Sequence, residues 1–575
     1  MRNSHCTGAI LRRLQSLPWI LGLCLTGTLP CALSVAARAS EPSFLRARGK
    51  DIVNERGEKV LLRGVGLGNW LLPEGYMWKF GNEADRPRRI EKLVTDLIGP
   101  EDAKRFWSEF RRNYISEADV RQIAALGYNS VRVALNARLF LADGGSPEPE
   151  GFQYLDDLVN WCKGQGIYVI LDMHGAPGGQ TGQNIDDSAN DQPELFVQSR
   201  YQDELVALWK TLALRYRNEA AVAGYDLLNE PLPKRTGAEA TYKNNLEPLY
   251  KRLTKAIREV DPKHMIILEG ADWANDWSVF TRPFDTNLVY QFHYYCWDTP
   301  SKVKSIAQYL GYRERFNAPI WCGETGERDG AIYWATTEYF EANNIGWSFW
   351  PWKKMDSDNE PYSIRRPRDW AAVIGFSRGG VKPAKEVVKK AFDELLVNIR
   401  LDHCDYHPNV VNAMLRRAPA RIEAENFGRQ GLGISYAVSN GSSRSRFYRV
   451  DEPVTIMAEE SQRPRSSQYI TLSAAEWTAY MISSDAPKLW DITGRVRAGK
   501  LPAEGKLFIN EQAFDVKITE QGWVEKKLGT VPLKAGLNNL KWMITRGTAD
   551  LDWLGVELPK KQPEAARLGE AQGAH

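Results

Sequence analysis

The feature that most constrains the fold of this chain is a series of apolar, β-branched runs that alternate with helical patterns. Eight such runs occur, each short enough for one buried strand. The predicted strands span 60–65, 130–135, 168–174, 224–229, 265–269, 288–294, 319–323 and 346–350. Strand and helix repeated eight times predict a (β/α)8 TIM barrel over 40–399, an α/β fold whose chemistry lies at the carboxyl ends of its strands.

Two of the intervening helices carry clear sequence signals. One is predicted over 116–126, where Ser116 and Asp119 form a capping pair at its start. The other is predicted over 245–260, where leucine and isoleucine recur at helical spacing. An open doubly wound sheet is the alternative fold. It is disfavoured because no Gly-x-Gly-x-x-Gly turn opens a helix, and the glycines of 64–68 have a different spacing.

Polar and aromatic side chains stand at or near the ends of the predicted strands. The strand ends of a barrel meet at one mouth, so these side chains are expected to converge there. Taken alone, each has a structural explanation as a buried histidine, a packing aromatic, a salt bridge or a helix cap. Their joint placement favours a functional site made of Arg132, His174, Asn229, Glu230, Glu269, His293, Tyr295, Glu324 and Trp350.

Two carboxylates, Glu230 and Glu324, belong to the fourth and seventh predicted strand ends, on opposite walls of the barrel. Glycoside hydrolysis uses such a pair: one carboxylic acid protonates the leaving oxygen, and one carboxylate attacks the anomeric carbon. The environment must then separate their pKa values. We expect the Tyr295 hydroxyl to keep Glu324 ionised and a drier position to keep Glu230 protonated. The Asn229 amide can bind the sugar 2-hydroxyl.

Four motifs carry a resemblance to a known family: LLNEP at 227–231, HYY at 293–295, WCGETG at 321–326 and WSFWPWK at 347–353. Over 45–396 the chain resembles glycoside hydrolase family 5, the cellulase-like retaining glycosidases. The resemblance implies that Glu230 is the acid/base, that Glu324 is the nucleophile, and that catalysis needs no cofactor or metal. The substrate-binding shell that it implies comprises Arg132, His174, Asn229, His293, Tyr295 and Trp350.

Two further motifs are similar to the exo-β-1,3-glucanase branch of that family, LRGVGLGNWL at 62–71 and LDMHGAPGGQTGQ at 171–183. That branch usually has asparagine where Gly66 stands, and residues 73–80 and 296–298 depart from its pattern. The resemblance implies a retaining β-glycosidase acting on a β-glucan. A relative active on β-mannan or cellulose, and a glycan-binding protein that has lost turnover, are the alternatives.

The N-terminus has the pattern of a secretory signal peptide over 1–39. Three arginines precede the apolar run 17–37, and Ala37-Arg38-Ala39 matches an A-x-A cleavage site. An uncleaved membrane anchor is the alternative, although prolines interrupt the run. We therefore expect a secreted, extracellular or periplasmic protein with no membrane contact after cleavage. The net charge of +3 over 575 residues argues against a nucleic-acid partner, and we expect a monomer that binds a polysaccharide or oligosaccharide.

The pattern changes after the barrel. Residues 400–419 are predicted to be a linker, and short alternating strands over 420–559 predict an all-β sandwich of jelly-roll type. This part resembles carbohydrate-binding modules of families 6 and 35, and the resemblance implies a structural calcium held by Glu423, Glu425 and Asp552. A sandwich without a ligand is the alternative. Residues 560–575 are predicted to be a disordered tail.

Two other motifs compete for a functional role. The G-x-S-x-G pattern at 375–379 fits the nucleophile elbow of acyl hydrolases, but it follows the eighth strand, and Pro383 interrupts the helix that an elbow requires. His403 and His407 have a metal-like spacing, but no second ligand cluster accompanies them. Both are predicted to be structural.

Overall fold

The structure is a computed structural model that describes residues 41–141, 148–297, 303–439, 445, 448–459 and 468–559. The predicted signal peptide at 1–39 and the predicted tail at 560–575 lie outside the described residues. Within the described part, no helix combines the length and apolarity needed to cross a membrane.

The N-terminal part is a closed barrel of eight parallel strands, which confirms the predicted fold class. A short antiparallel pair precedes it, β1 (Arg46–Arg48) and β2 (Asp51–Val53). The barrel strands are β3 (Arg63–Leu67), β4 (Ser130–Asn136), β5 (Tyr168–Gly175), β6 (Val222–Asp226), β7 (Met265–Glu269), β8 (Leu288–Tyr294), β9 (Ile320–Gly326) and β10 (Gly346–Trp350). Pairing of β10 with β3 closes the cylinder.

Helices surround this barrel and continue beyond it. The α-helices of the described residues are α1 (Pro87–Ile98), α2 (Pro100–Tyr114), α3 (Glu117–Ala125), α4 (Pro149–Gln165), α5 (Ser199–Tyr216), α6 (Ala238–Tyr242), α7 (Leu246–Arg258), α8 (Ala307–Phe316), α9 (Gly330–Ala342), α10 (Trp370–Phe376), α11 (Lys385–Asn398) and α12 (Pro408–Leu415). Helices α3 and α7 are the two predicted over 116–126 and 245–260. The predicted capping pair is confirmed, because Asp119 accepts from the Ser116 backbone N–H and hydroxyl at 3.0 and 2.9 Å.

Three predicted strand boundaries are wrong. Strand β3 begins at Arg63 rather than at Val60, whose N–H instead donates to Ile52 of the N-terminal pair. Strand β6 ends at Asp226 rather than at 229, although the Leu227 and Asn229 N–H groups still donate to Ile267 and Met173 of the neighbouring strands. Strand β9 extends to Gly326, so Glu324 lies within a strand instead of directly after one.

Two apolar cores build the barrel. The larger lies between the strands and the surrounding helices. The smaller fills the barrel near the amino ends of its strands, where Ile170, Ile267 and Trp321 pack with Leu45 and Ile52 of the N-terminal segment. The opposite end of the cylinder is therefore the one left for polar side chains.

The segment assigned to a linker, 400–419, contains regular structure. It includes β13 (Asp405–Tyr406), which completes a small sheet with β11 (Lys353–Met355) and β12 (Tyr362–Ile364). It also includes α12, whose Val410, Val411 and Met414 are buried in the barrel core. Proline at the first position and a run of apolar residues suit a short packed helix.

The C-terminal part consists of two antiparallel sheets. The first contains β14 (Ala420–Glu423), β16 (Thr455–Ala458), β17 (Gln468–Ser473), β19 (Lys488–Ala498), β22 (Val524–Leu533) and β24 (Thr548–Glu557). The second contains β15 (Tyr436–Ala437), β18 (Trp477–Ser484), β20 (Ala503–Ile509), β21 (Gln512–Ile518) and β23 (Gly536–Arg546). Trp334 of the barrel helix α9 packs into their shared core, and Arg429 lies 3.4 Å from Glu338 of the same helix.

Candidate active site

The carboxyl ends of the barrel strands bring the predicted site residues together in one cluster. The strands themselves carry Arg132 (β4), His174 (β5), His293 (β8), Glu324 (β9) and Trp350 (β10), whereas Asn229 and Glu230 follow β6 and Tyr295 follows β8. All are buried except Tyr295, which is partly exposed. Strand ends from six walls of the barrel thus contribute to one site.

Glu230 and Glu324 face each other across the barrel mouth. One oxygen of each and a ring nitrogen of His293 all lie within 4.8 Å of one another. His293 Nδ1 is 2.7 Å from Glu230 Oε1 and 3.4 Å from Glu324 Oε2. The two carboxyl groups are therefore close enough to act on the two atoms of one bond.

Arg132 ties this pair to the barrel interior and has no exposed surface. Its Nη1 donates to Glu324 Oε1 at 2.6 Å, and its Nη2 donates to Asn229 Oδ1 at 2.8 Å. The guanidinium also contacts three further buried carboxylates, those of Asp226 and Glu269 at 2.9 Å and that of Asp172 at 3.1 Å. The guanidinium is planar and presents several N–H donors in a fixed geometry, so it can pair with several carboxylates at once.

One guanidinium cannot keep all these carboxylates charged. Burial raises the pKa of Asp226 well above its usual value and that of Asp172 to about 8. Burial also opposes ionisation of Glu269, but neighbouring cations outweigh it and lower the pKa of Glu269. Of these three buried carboxyl groups beside Arg132, Glu269 therefore carries a negative charge more readily than the two aspartates do.

His293 supplies a second cation. Burial disfavours its charged form, but the charges of Glu269, Glu324 and Glu230 outweigh burial and raise the pKa of His293 well above its usual value. The protonated ring donates from Nδ1 to Glu230. One buried imidazolium thus links the two carboxyl groups that sequence analysis paired.

Tyr295 makes the contact that was expected of it, because its hydroxyl donates to Glu324 Oε2 at 2.8 Å. Burial and the nearby carboxylate raise the pKa of Tyr295 well above its usual value, so the hydroxyl keeps its proton. Burial also raises the pKa of Glu324, and His293 and Arg132 offset this only in part. Burial, rather than the tyrosine hydroxyl, therefore has the largest effect on the ionisation of Glu324.

Asn229 and His174 fix each other's orientation. The Asn229 Oδ1 atom accepts from Arg132, so Nδ2 is the atom that faces His174 Nε2, at 3.2 Å. Burial lowers the pKa of His174 to about 4, and its Nδ1 lies 2.7 Å from Asp172 Oδ2. A neutral ring that donates from Nδ1 and accepts at Nε2 satisfies both contacts. Buried side chains therefore hold both polar atoms of the Asn229 amide.

The backbone of Glu230 is strained. Its φ of 43° lies in the left-handed region, which non-glycine residues rarely adopt. The Glu230 N–H donates to Glu269 Oε2 at 2.6 Å, and Gln180 Nε2 donates to the Asn229 carbonyl at 3.0 Å. Such strain persists where surrounding contacts hold it, and it turns the Glu230 side chain out of the strand direction.

Trp350 forms an aromatic wall of the site. Its ring stacks on His174 with 5.1 Å between centroids and 5° between planes, and its Nε1 donates to the Tyr76 hydroxyl at 3.1 Å. Two glycines of β3 and its following loop give it room. A Cβ at Gly66 would lie 2.3 Å from Trp350 Cε3, and one at Gly68 would lie 2.6 Å from Cζ2. Gly66, which stands where the glucanase branch usually has asparagine, is therefore required for this position of the Trp350 ring.

Replacement of Gly66 by alanine is expected to push Trp350 away and to destabilise the fold by about 1–3 kcal/mol, as overpacking of a rigid core does. Thermal unfolding and kcat/KM of the variant measure both effects. Gly164→Ala is the matched control, because it lies within α4 and a Cβ there meets nothing within 4 Å. Equal stability of the two variants would contradict this account of Gly66.

The structure adds residues that sequence analysis missed. Glu74 and Tyr76 from the loop after β3, and Glu327 after β9, line a cavity of about 140 Å³ together with Glu230 and Glu324. We call this cavity the inner chamber; His174, Ile185, Tyr295 and Trp350 complete its described lining. Burial, followed by Glu324 and Glu327, raises the pKa of Glu74 well above its usual value. These residues lie outside the strand-end pattern, and no signal in the sequence singled them out.

Lys354 forms an ion pair with Glu327 at the inner chamber. Its Nζ contacts Glu327 Oε1 at 2.8 Å and Glu360 Oε1 at 2.5 Å. Burial lowers the pKa of Lys354, but Glu327 and Glu360 outweigh burial and raise it. Burial raises the pKa of Glu327, and Lys354 offsets this only in part, so one wall of the chamber pairs a buried carboxyl group with its own buried cation.

A second, larger cavity of about 660 Å³ adjoins the inner chamber and shares Ile185, Glu230 and Tyr295 with it. We call this the outer cavity. Trp273, Trp297 and Tyr309 supply its aromatic walls. Glu230 thus stands at the junction of a small chamber and a roomier space.

Among the described residues, Glu230, His293 and Glu324 form the one group of three side chains with metal-ligand spacing. Arg132 lies 2.6 Å from Glu324, so a divalent cation there would meet a fixed positive charge. The competing motifs have structural contacts instead. Ser377 follows helix α10 and donates to the Ile374 carbonyl at 2.7 Å, and His407 Nδ1 lies 2.9 Å from the Glu360 carbonyl.

Comparison with known proteins agrees with this geometry. Residues 96–356 match the model of the family described as cellulase (glycosyl hydrolase family 5). A β-xylosidase of Phanerodontia chrysosporium is 31% identical over 351 residues, which cover 54% of this chain and 71% of that protein. A probable glucan 1,3-β-glucosidase A of Aspergillus fumigatus is 28% identical over 277 residues, which cover 46% of this chain and 64% of that protein.

A solved structure of an endogalactoceramidase aligns with 89% of this chain and 99% of its own chain, at 16% identity and a TM-score of 0.42. The family match spans β4 to β10, the strands on which the barrel-mouth cluster is built. The chain is therefore a glycoside hydrolase that belongs to glycosyl hydrolase family 5.

Proposed function

We propose that this protein is a retaining β-glycosidase in which Glu324 is the nucleophile and Glu230 is the acid/base. The observation that carries the proposal is the spacing of the two carboxyl groups, whose facing oxygens lie within 4.8 Å. Retaining enzymes have carboxyl groups about 5–5.5 Å apart, whereas inverting enzymes leave about 6.5–9.5 Å for a water molecule.

The hydrogen bonds support this division of roles. Arg132 and Tyr295 donate to separate oxygens of Glu324 and stabilise its carboxylate form. Glu230 accepts one bond from His293, at Oε1, and it lines the outer cavity, where it can reach the departing oxygen. Glu324 attacks the anomeric carbon while Glu230 protonates the departing oxygen. Glu230 then takes a proton from water, whose oxygen displaces Glu324 and frees the sugar.

The cavities support removal of one sugar at a time. The inner chamber, at about 140 Å³, is much smaller than the outer cavity of about 660 Å³. Glu74, Glu327 and Trp350 line the inner chamber and are not among the described lining residues of the outer cavity. We therefore propose that one terminal sugar occupies the inner chamber and that the rest of the substrate leaves through the outer cavity.

For the substrate, we propose a β-glucoside, such as the end of a β-1,3-glucan. The glucanase-branch motifs and the 28% identity to a probable glucan 1,3-β-glucosidase support this choice. The 31% identity to a β-xylosidase favours β-xylosides as the second candidate. The two sugars differ by one hydroxymethyl group, which the wall of the inner chamber would accept or reject.

Proton NMR during hydrolysis of laminari-oligosaccharides tests the proposal. We expect β-glucose as the first product, before mutarotation, together with an oligosaccharide shortened by one unit. Release of α-glucose would overturn retention. Early formation of internal fragments would overturn attack at the chain end, and equal rates on matched aryl β-xylosides and β-glucosides would overturn the sugar preference.

We also propose that residues 1–39 direct secretion and are then removed, since their charge and cleavage pattern suits export. N-terminal sequencing of the exported protein should begin at Ser40. A start at any earlier residue would contradict cleavage after Ala39.

In the sandwich we propose a carbohydrate-binding module with a calcium site at Glu425 and Asp552. Glu425 Oε2 and Asp552 Oδ1 are buried and have no hydrogen-bond partner among the described residues. Arg421 and Arg495 already pair with Glu423 and Asp552, so a bound ion would have to compete with two guanidinium groups. Calcium should raise the melting temperature, and an unchanged value would contradict the site.

A further inference from the structure

The ionisable side chains that line the cleft differ between its two cavities. Four carboxyl groups, those of Glu74, Glu230, Glu324 and Glu327, line the inner chamber. In the outer cavity, Glu230 is the one carboxyl group among the described lining residues, and besides the buried His293 two exposed cationic side chains, Arg235 and Lys304, line it. The chamber for the sugar that is cleaved off is acidic, whereas the space for the departing part is basic.

The two cations of the outer cavity have no acidic partner in the described parts of the chain. No described carboxylate lies within 4.0 Å of Arg235 Nη or of Lys304 Nζ, whereas neighbouring cations are paired. Lys234 contacts Asp272 at 2.9 Å, and Lys243 contacts Glu239 at 2.9 Å. Within the described residues, Lys234 and Lys243 are thus compensated, whereas the two exposed cations that line the outer cavity are not.

Both cations are presented by ordered surroundings. The Arg235 guanidinium lies 5.0 Å from the centre of the Trp273 ring, which orients its edge for hydrogen bonding. The Lys304 backbone carbonyl accepts from the Tyr294 hydroxyl at 2.8 Å, so the start of this side chain is anchored at the cavity.

An exposed aromatic surface lies beside them. Trp297 is 50% exposed, and its ring is parallel to that of Tyr295, with 5.1 Å between centroids and 9° between planes. Tyr295 also donates to Glu324, so this stack runs from the reacting centre into the outer cavity. Flat apolar faces next to free cations suit a ring that bears a negative charge.

On the basis of the proposed function, we propose that the outer cavity selects substrates whose departing part carries an anionic group, a carboxylate or a sulfate or phosphate ester. Arg235 and Lys304 bind that group, and Trp297 stacks on the ring that bears it. No lysine or arginine is among the described lining residues of the inner chamber, so nothing there would bind the same charge, and the terminal sugar itself is neutral. The cleft is thereby matched to a neutral sugar linked to an acidic neighbour.

Matched substrates that differ in this charge alone test the proposal. One pair is 4-carboxyphenyl and 4-carbamoylphenyl β-glucoside; the other is a disaccharide ending in glucuronic acid and the same disaccharide ending in glucose. A 4-sulfatophenyl β-glucoside separates sulfate from carboxylate recognition. The ratio of kcat/KM between charged and neutral members is compared in wild type, Arg235→Ala, Lys304→Ala and the double variant.

Each single replacement is expected to lower the wild-type ratio about 2- to 5-fold, and the double variant about 10-fold, as for partly exposed charge contacts. Raising the salt concentration should lower the wild-type ratio as well. Hydrolysis of the neutral members should change little. Lys234→Ala is the matched control, because this lysine adjoins Arg235 in sequence, is paired with Asp272 and does not line the cavity.

A ratio that the double variant leaves unchanged would overturn the proposal while the glycosidase itself stands. A drop of the same size in Lys234→Ala would also overturn it, since general surface charge would then explain the effect. Binding of 4-hydroxybenzoate and 4-hydroxybenzamide, followed by NMR, tests charge selection without turnover. Tighter binding of the benzoate that Arg235→Ala weakens would support the site even if no β-glucoside is cleaved, and equal affinities would contradict it.

Discussion

Glutamine in place of Glu324 is expected to lower kcat on an activated aryl β-glucoside by at least about 10⁴-fold, as loss of a nucleophile does in enzymes with covalent intermediates. The amide keeps the size of the carboxylate but cannot attack the anomeric carbon. Arg132 and Tyr295 would then both donate to a neutral group. Steady-state kinetics measure the loss, and the melting temperature checks that the fold persists.

Azide separates the two roles in the proposed mechanism. In Glu324→Gly, azide can enter the vacated space and attack the anomeric carbon from the face that the carboxylate used, while Glu230 protonates the departing oxygen. The product should be the α-glucosyl azide. In the matched variant Glu230→Gly, Glu324 still forms the glycosyl-enzyme, azide then displaces it, and the product should be the β-glucosyl azide. The opposite assignment of products would exchange the roles of the two glutamates, and unchanged turnover in Glu324→Gln would rule out a nucleophile at this position.

Methionine in place of Arg132 is expected to lower the free energy of unfolding by about 3–5 kcal/mol and to abolish activity, because removal of one partner leaves buried charge uncompensated. Arg132 has no exposed surface and is within 3.1 Å of four carboxylates. Chemical denaturation measures the change. Arg132→Lys, which keeps the charge but not the planar fork, should retain more stability than Arg132→Met.

Arg215→Met is the control for the Arg132 experiment. Arg215 pairs with Asp156 at the surface, where its side chain is 45% exposed. Its replacement should cost about 1 kcal/mol or less and leave kcat unchanged, because exposed ion pairs contribute little. If Arg132→Met lost no more stability than this control, the buried network would not be the structural centre of the barrel.

Much of the architecture could be predicted from local pattern. Eight apolar runs separated by amphipathic segments indicated the barrel, because a parallel strand buried on both faces leaves a continuous apolar run. The positions of Glu230 and Glu324 after such runs suggested that they meet. Strand ends were less predictable, because they depend on contacts with other segments: the Val60 N–H, for example, donates to Ile52 of the N-terminal pair. The strand and the helix of segment 400–419 are two and eight residues long, which is too short for a periodic pattern of apolar residues to indicate them.

Contacts made by loops could not be predicted in the same way. Glu74 and Glu327 reach the inner chamber from two segments far apart in the chain, and no periodic pattern marks either residue. The ionisation of Glu324 was expected to depend on Tyr295, yet burial has the larger effect on its pKa. Desolvation depends on every atom that excludes water, and this quantity is a property of the packed state.

By itself the amino-acid sequence determined which strands form, the order in which they close, and which two carboxylates come to the barrel mouth, because strand periodicity and strand-end position are local properties of a chain. Only the tertiary structure decided the size of the inner chamber, the room that Gly66 leaves for Trp350, and the uncompensated charges of Arg235 and Lys304. Cavity volume, steric clearance and charge pairing each depend on distances between segments remote in sequence, and those distances exist only once the chain has folded.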